Sequence, residues 1–406
     1  MDLIRVMPAE AKALSEKRDF DVVVVGGGVI GLSCAWRLAR GGARVAVVER
    51  GEPGGGATRV AAGMLAPVGE LTFGEPELLE LTLAAARLYP EFVAELEAAT
   101  GVSTGYERLG ALHVALDRDE AAQLRRVHDL QRSLELEAEW LPPRRCRDLE
   151  PGLTPSFHGG VLAAGEAAID PRALTRVLLA ACAAEGVEVR TGTEVVDGVF
   201  EGERLVGVRT ASRRSDTSEV SDRRLDEVRA ESVVLAGGAR SGAMAWLPAE
   251  ARPTVRPVKG QVVELRTRDG EPPARHILAS ERVYLVPRAD GRLVVGATVE
   301  EMGFDTAVTA GGIHDLLREA YRLLPDVAEM EWVGASAGLR PGTPSNLPLV
   351  GPGAIDGLVL ATGHYRNGIL LAPLAAQAVA DLVSNRRSSL VPHTGNQGRT
   401  PTEVAR

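Results

Sequence analysis

Three glycines near the start of the chain have the spacing of a turn that binds phosphate groups. They form the pattern Gly26-x-Gly28-x-x-Gly31, after the apolar run Val22–Val25 and before a segment of helical periodicity. The first glycine permits a tight turn, the second lets backbone N–H groups approach a pyrophosphate, and the third lets the helix pack closely on the strand. The helix N-terminus adds unpaired N–H groups and the positive end of its dipole. The spacing therefore predicts a dinucleotide site.

An acidic residue at the end of the next predicted strand supports this prediction. Glu49 follows the strand pattern Arg44–Val48, 18 residues beyond Gly31. A carboxylate there accepts hydrogen bonds from ribose hydroxyls and repels a 2′-phosphate, which argues against NADP. Without a ligand the glycines would form only a tight strand-to-helix turn, and the strand, helix and acid around them favour the dinucleotide.

A second glycine-rich segment lies more than three hundred residues farther along the chain. It runs from Ala361 to Gly368 and precedes a predicted helix. That helix N-terminus would point at another part of a long cofactor, and a flavin gains negative charge at its N1–C2=O edge on reduction. An ordinary strand-to-helix turn would also explain this segment alone. Because there is no second Gly-x-Gly-x-x-Gly pattern, we expect FAD and a small substrate as the direct electron donor.

Composition excludes several classes of protein. Glycine accounts for 45 of 406 residues, with 12 between positions 26 and 69 and 8 between 334 and 368, so the excess lies around the two turns. The absence of a three-residue period and a hydrophobic fraction of 45% exclude a collagen and a disordered chain. The net charge of −9, with acids outnumbering the scattered basic residues, argues against a nucleic-acid partner.

Cysteine and histidine counts argue against disulfide and metal chemistry. The three cysteines form no Cys-x-x-Cys pair and the seven histidines show no ligand spacing, so we expect no metal and a reducing, cytoplasmic location. The N-terminus lacks the apolar core of a signal peptide. The longest apolar stretch, Gly368–Val383, is interrupted by polar residues and proline, so no membrane span is expected.

The elements that must position these residues alternate between two sheet patterns. Strands are expected at 22–25 and 44–48 in a β-α-β unit, at 187–190, 193–200, 204–210 and 232–236 in a meander, and at 358–361. A second, antiparallel sheet is expected from 255–266, 282–288 and 292–298. Asp170-Pro171 has the pattern of a helix start, and the charged stretch 211–231 is expected to be a solvated loop or insertion.

The predicted fold class is α/β. A Rossmann-like FAD-binding domain, residues 19–100, 165–245 and 334–388, is interleaved with an α+β substrate-binding domain, residues 101–164 and 246–333, built on an antiparallel sheet. The leader 1–18 and the tail 389–406 are polar and are predicted to be disordered.

A series of motifs keeps a characteristic order between Phe20 and Leu382. After the first glycine turn they are Gly63-Met64, Asp170-Pro171, Val258-Lys259-Gly260, Tyr284-x-Val286-Pro287-Arg288, Gly291–Thr298, Gly338–Thr343 and Gly363–Leu370. In this order they resemble the D-amino-acid-oxidase-type flavoenzymes and, within that family, the glycine oxidases associated with thiamine biosynthesis. The resemblance implies non-covalent FAD and oxidation of a small amine or D-amino acid by molecular oxygen to a 2-oxo acid, ammonia and hydrogen peroxide. It also implies a homotetramer.

The resemblance assigns a substrate site but no certain catalytic residue. Arg340 would clamp the substrate carboxylate through both arms of its guanidinium, and the Tyr284 hydroxyl would support it. Arg366 would contact substrate or flavin. Arg282 and Val299 stand where a histidine and a methionine are usual, which leaves the substrate range open. A structural ion pair remains an alternative for Arg340, and a core position remains one for Tyr284.

The cofactor contacts assigned in the same way come from both glycine-rich regions and the strands between them. They are Gly26, Gly28, Val29, Ile30, Gly31, Glu49, Arg50, Ala57, Thr58, Ala62, Gly63, Met64, Val195, Gly237, His364, Tyr365, Arg366, Asn367, Gly368, Ile369 and Leu370. Strand 293–295 has no lysine and no cysteine follows Cys182, which sets the chain apart from the sarcosine-type oxidases with covalent flavin. Lys259 and Arg288 are predicted to be structural.

Two other functions remain open from the sequence. A D-amino-acid dehydrogenase would pass the same electrons to a quinone, and a flavin-binding assembly protein would bind the cofactor without turnover. Neither the motifs nor the composition separates these alternatives from an oxidase.

Overall fold

The computed structural model describes residues 19–213 and 223–384. The leader 1–18 and the tail 389–406, both predicted to be disordered, lie outside the described residues. Within the described ranges the strands, numbered in chain order, are β1 Val22–Val25, β2 Val45–Val48, β3 Met64–Leu65, β4 Ala111–Val114, β5 Glu139–Leu141, β6 Gly160–Ala163, β7 Ala167–Ala168, β8 Glu188–Arg190, β9 Thr193–Glu201, β10 Arg204–Arg213, β11 Arg223–Arg229, β12 Ser232–Leu235, β13 Arg256–Arg266, β14 Ile277–Ala279, β15 Tyr284–Pro287, β16 Arg292–Gly296, β17 Glu331–Gly342, β18 Leu349–Pro352 and β19 Leu358–Thr362.

The α-helices are numbered in the same way. They are α1 Val29–Arg40, α2 Ala57–Val60, α3 Pro76–Thr100, α4 Arg118–Ser133, α5 Pro143–Leu149, α6 Pro171–Ala184, α7 Ala310–Leu323 and α8 Gly368–Val383. No helix in the described ranges is long and apolar enough to span a bilayer.

The first sheet has six strands in the order β18-β19-β12-β1-β2-β8. All neighbouring pairs are parallel except β18 and β19, which are antiparallel. All four valines of β1 are buried because α1, α3, α6 and α8 cover one face of the sheet and the antiparallel sheet β9-β10-β11 packs on the other. This double cover explains the continuous apolar run in the sequence.

The second sheet has eight strands in the order β17-β13-β16-β15-β14-β4-β6-β5. Its pairs are antiparallel except β14 and β4, which are parallel. Helix α7 packs on one face, where Leu316, Ala320 and Leu323 join the core of this sheet. The mixed α/β fold predicted from the sequence is confirmed.

Strand β17 lies in the second sheet, whereas most of its residues were assigned to the FAD-binding domain. It pairs with β13 over the whole span Arg256–Arg266 and therefore belongs to the second sheet, whereas residues from 334 onwards were expected with the first. After β17 the chain returns to the first sheet at β18. The antiparallel ladder with β13 pairs the backbone N–H and C=O groups of β17 along this span, which places it in the second sheet. The division into two domains stays a prediction.

The predicted solvated loop at 211–231 is wrong where the structure describes it. Strands β10 and β11 pair from Gly207–Arg229 to Arg213–Arg223 as an antiparallel extension of β9. Val208 and Val228 are buried while charged neighbours lie on the outer face, so the alternation was hidden by a high charge content. Strands β8 and β12, expected in one meander with these, belong instead to the first sheet.

Candidate active site

The glycine turn after β1 leaves an open helix N-terminus. Gly26 has φ +113°, and a Cβ there would strike the Ala236 carbonyl group. A Cβ on Gly31 would overlap the Gly26 carbonyl oxygen, so α1 can lie this close to the strand only with glycine at that position. Helix α1 has Gly28 as its N-cap, which has no side chain to cap the helix; the Val29 N–H donates to Thr58 Oγ1 at 3.1 Å, and the next N–H groups of the first turn remain for an anion.

The carboxylate of Glu49 is fixed beside this turn. Its Oε2 accepts the N–H of Gly27 at 2.7 Å and its Oε1 accepts the N–H of Gly51 at 2.8 Å. Both bonds come from backbone, so the carboxylate has a defined orientation while still lining the cavity described below. This placement fits an acceptor for ribose hydroxyls.

The second glycine-rich segment also ends at an open helix start. Gly363 has φ +77°, and α8 begins at Gly368 without a side-chain cap on its N-terminus. His364 is 2% exposed, and its Nε2 has no hydrogen-bond partner in the described part of the chain. Burial lowers the pKa of His364 to about 3, so its ring is neutral. The neutral ring of His364 and the N-terminus of α8 both border the cavity described below.

One cavity of about 1250 Å³ connects both helix starts with the second sheet. Its lining includes the five predicted substrate residues Arg282, Tyr284, Val299, Arg340 and Arg366. It also includes the predicted cofactor residues Gly26, Gly28, Val29, Ile30, Glu49, Arg50, Ala57, Thr58, Ala62, Gly63, Met64, Val195, Gly237, His364, Tyr365, Gly368 and Ile369. Gly31, Asn367 and Leu370, also predicted to contact the cofactor, are not among its lining residues.

Arg340 and Tyr284 meet at one end of this cavity. Arg340 Nη1 donates to the carbonyl oxygens of Thr298 at 3.0 Å and Lys259 at 3.3 Å, and no salt bridge among the described residues involves Arg340. A structural ion pair, the alternative left by the sequence, therefore has no partner in those ranges. Burial raises the pKa of Tyr284, opposed by the charge of Arg340 beside it, so the hydroxyl is kept protonated.

Two glycines make room for these side chains. A Cβ on Gly260 would overlap the guanidinium of Arg340, and a Cβ on Gly296 would overlap the ring of Tyr284. Gly260 lies on β13 and Gly296 on β16, so each side chain lies across a neighbouring strand that lacks one. Sequence reasoning quoted both glycines within motifs but assigned them no role.

Glu70 is a charged wall residue that sequence reasoning missed. It lies in the segment between β3 and α3, which we call the substrate loop (residues 66–75), and its Oε1 is 3.4 Å from Arg366 Nη2. The charge of Glu70 raises the pKa of Arg366. A lone acid in a loop carries no sequence signal, because its partner is nearly three hundred residues away.

The remaining singled-out residues lie at the rim or behind the cavity. Arg282 is exposed and Val299 is 58% exposed, so both border the opening. Lys259 is fully buried and pairs through Nζ with Asp305 at 2.7 Å, which suits the structural role predicted for it. Arg288 is buried and donates to the Ala62 carbonyl oxygen behind the cofactor wall.

Comparison with known proteins decides the family. The model of the family described as FAD dependent oxidoreductase matches residues 21–382. The chain belongs to this family. Its membership confirms the resemblance drawn from the motifs, makes the chain an oxidoreductase and identifies its cofactor as FAD.

Individual members of the FAD-dependent oxidoreductase family are similar over nearly the whole chain. The glycine oxidase of Geobacillus kaustophilus is 35% identical over 394 residues, which cover 93% of this chain and 98% of that protein. The crystal structure of glycine oxidase from Geobacillus kaustophilus superposes with a TM-score of 0.83 at 34% identity, covering 94% of this chain and 99% of that one.

One longer relative is named as a bifunctional protein. The bifunctional protein ThiO/ThiG of Trichormus variabilis is 36% identical over 370 residues, which cover 91% of this chain and 53% of that protein. The chain thus spans about half the length of the ThiO/ThiG relatives that it matches.

The residues at the cavity fit the cofactor of the family. Two helices without an N-cap side-chain bond begin at one elongated space, and positions 26 and 31 have no room for a side chain. A buried imidazole nitrogen of His364 has no hydrogen-bond partner in the described part of the chain. An anionic pyrophosphate and an apolar ring system that gains negative charge would meet matching groups in such a space.

Proposed function

We propose that the chain oxidises glycine and other small amines or D-amino acids with FAD and molecular oxygen. In the reaction of glycine, one water and one oxygen molecule are consumed, and glyoxylate, ammonia and hydrogen peroxide are formed. Bound FAD supplies the acceptor for the hydride that leaves the substrate α-carbon. The observation that carries the proposal is the meeting of Arg340 and Tyr284 at one end of the cavity, with an arginine free of any described carboxylate.

The polar groups at this end are arranged for a zwitterion. Arg340 uses only Nη1 in its two described backbone bonds, so its other donors remain for a substrate carboxylate. The Tyr284 hydroxyl adds a neutral donor. Glu70 supplies a negative charge next to Arg366 at the same end, which favours an amine rather than a second carboxylate. Fixing the carboxylate in this way orients the α-carbon for transfer.

The cofactor side is proposed to be divided between the two glycine-rich regions. The turn at Gly26–Gly31 with Thr58 would hold the pyrophosphate, and Glu49 would hold the ribose. Residues from His364 to Ile369 would hold the flavin ring. The neutral His364 can donate or accept one hydrogen bond without adding a charge.

A peroxide assay tests the proposed function. We expect peroxide from at least one of glycine, sarcosine, D-alanine and D-proline, and loss of the flavin absorbance when glycine is added without oxygen. Absence of turnover on all four would contradict the proposal. Faster turnover with a quinone-like dye than with oxygen would favour a dehydrogenase, and a yellow protein that no amine bleaches would favour an assembly role.

Three wider statements belong to the same proposal. The chain would serve thiamine thiazole biosynthesis, supported by the relatives with ThiO in their names. It would form a homotetramer, which size-exclusion chromatography with light scattering tests. It would act in the cytoplasm, supported by three free and buried cysteines, and fractionation of the source cells tests this location.

A further inference from the structure

One wall of the cavity is held in place by buried side chains that the proposed chemistry does not use. This wall is the substrate loop, of which Gly69, Glu70, Leu71 and Thr72 line the cavity. Glu70 is the loop residue that faces Arg366. The position of Glu70 therefore depends on what fixes the loop backbone just before it.

Two buried polar side chains form hydrogen bonds with the loop backbone at Val68. Glu166 lies in the turn between β6 and β7 and is 2% exposed, and its Oε1 accepts the N–H groups of both Val68, at 2.9 Å, and Gly69. Gln131 on α4 is also 2% exposed and donates to the Val68 carbonyl oxygen at 3.0 Å. The backbone two residues before Glu70 is thus bonded from both sides.

The other oxygen of Glu166 faces a histidine. Glu166 Oε2 and His113 Nε2 are both buried, and neither has a hydrogen-bond partner among the described residues. A Cβ on Gly69 would collide with both atoms, so both lie next to Gly69 and leave room for no larger residue there. A protonated carboxyl group accounts for this arrangement, because Oε1 alone accepts both N–H groups and no described donor faces the buried Oε2, where a negative charge would be left unsolvated.

Electrostatics favour the same charge state. Burial raises the pKa of Glu166 to about 8 and lowers the pKa of His113 to about 4. Both groups are therefore neutral near pH 7, and no buried charge disturbs the loop.

We propose that Glu166 is a positioning residue for the substrate loop: its neutral carboxyl group fixes the Val68–Gly69 backbone and thereby holds Glu70 opposite Arg366. The kinetic part of this inference rests on the proposed function, since it requires an amine substrate beside Glu70. The structural part concerns the loop alone.

The chain offers a matched control in Glu150. This residue is 3% exposed, and its Oε1 accepts the N–H groups of Arg275 at 2.9 Å and His276 at 2.7 Å. It also faces a histidine, with Oε1 2.6 Å from His276 Nδ1. Neither Glu150 nor His276 lines the cavity. A loss of stability common to buried glutamates will appear at both sites, whereas a positioning effect will appear only at Glu166.

The test compares FAD-loaded Glu166→Ala, Glu166→Gln and Glu150→Ala with the unaltered protein. Amide hydrogen exchange is measured by mass spectrometry over residues 66–75, and kcat and KM are measured with glycine. We expect Glu166→Ala to speed loop exchange and raise the KM about tenfold, with kcat changed less than threefold. Glu166→Gln keeps the accepting oxygen and carries no charge, so both values stay near those of the unaltered protein. Glu150→Ala changes neither.

Other outcomes decide against the proposal. Unchanged loop exchange in Glu166→Ala, or a Glu166→Gln variant as impaired as Glu166→Ala, overturns it. If Glu166→Ala does not fold, Glu166→Asp, whose shorter side chain withdraws the accepting oxygen from the Val68 and Gly69 N–H groups, must speed loop exchange for the proposal to stand. If glycine reduces no flavin even in the unaltered protein, the proposed function fails, and the exchange comparison still decides whether Glu166 anchors the loop.

Discussion

At the scale of single residues, the substrate end of the cavity is shaped by arginine and tyrosine side chains that lie over glycines. Arg340 covers Gly260 and Tyr284 covers Gly296, so each large side chain occupies the volume that its neighbour lacks. Packing over these glycines restricts the rotamers of both side chains, and two backbone hydrogen bonds hold Arg340 as well. Two predictions follow from this arrangement.

Replacing Arg340 removes the planar donor that grips the carboxylate. We expect Arg340→Ala to raise the KM for glycine about 10- to 100-fold, since a charge-assisted hydrogen bond contributes about 1.5–3 kcal/mol. Arg340→Lys keeps the charge but loses the fork geometry and should recover only part of this loss. Steady-state kinetics measure both, and an unchanged KM in Arg340→Ala would remove this residue from the clamp.

Adding one methyl group at position 296 should displace Tyr284. We expect Gly296→Ala to raise the KM for glycine about tenfold while FAD still binds, because the new Cβ meets the tyrosine ring and not the cofactor wall. Gly334→Ala on β17 is the control, since a Cβ there meets nothing within 4 Å. Equal kinetic effects of the two variants would show that crowding at Tyr284 is unimportant.

At the scale of elements, the starts of two helices that pack on the first sheet and two strands of the second sheet meet at one cavity. Helices α1 and α8 pack on the first sheet, whereas Tyr284 and Arg340 lie on strands β15 and β17 of the second sheet. The helix starts at the cofactor side and the strands that carry Tyr284 and Arg340 therefore rest on separate sheets. A change in helix packing should alter cofactor binding before it alters substrate binding.

Gly31 tests this separation. A Cβ at Gly31 overlaps the Gly26 carbonyl oxygen, so Gly31→Ala must push α1 away from the turn at a cost of about 1–3 kcal/mol. We expect weaker FAD binding, measured by flavin fluorescence during dilution or dialysis. Gly311→Ala near the start of α7 is the control, because a Cβ there meets nothing. FAD retention equal to that of this control would contradict the role of Gly31.

At the scale of the whole molecule, Glu166 gives folding stability a defined pH dependence. Burial raises the pKa of Glu166 from its ordinary value of 4.5 to about 8 in the folded protein. The contribution of this protonated group to folding stability is therefore complete below pH 4.5 and is lost as the pH rises through 8. Burial lowers the pKa of His113 to about 4 and of His364 to about 3, against an ordinary value of 6.5. Their contributions increase with pH only up to 6.5.

Between pH 6.5 and pH 8, Glu166 therefore lowers the folding stability while the contributions of His113 and His364 stay constant, so its effect can be measured separately there. The groups that face Glu166 are His113, the charge of Glu70 and the N–H groups of Val68 and Gly69. We expect the melting temperature of the unaltered protein to fall over this range relative to that of Glu166→Gln, which has no proton to lose. Parallel melting curves for the two proteins would contradict the expected titration.

The sequence by itself determined the features that neighbouring residues set. The strand, turn and helix from Val22 to Arg40 formed as predicted, and Asp170 caps α6 by accepting the N–H groups of Arg172 and Ala173. Local sterics, capping and periodicity act within a few residues, so a single sequence displays them. The family followed from the order of several such motifs.

Only the tertiary structure decided which distant residues share a site. The pairing of β17 with β13, the approach of Glu70 to Arg366 and the convergence of Glu166 and His113 on Gly69 each join segments far apart in the chain. An alternating pattern states that a strand has a buried face but does not name its partner strand. Partner choice follows from competition among all strands and side chains for burial, and that competition is settled only when the whole chain packs.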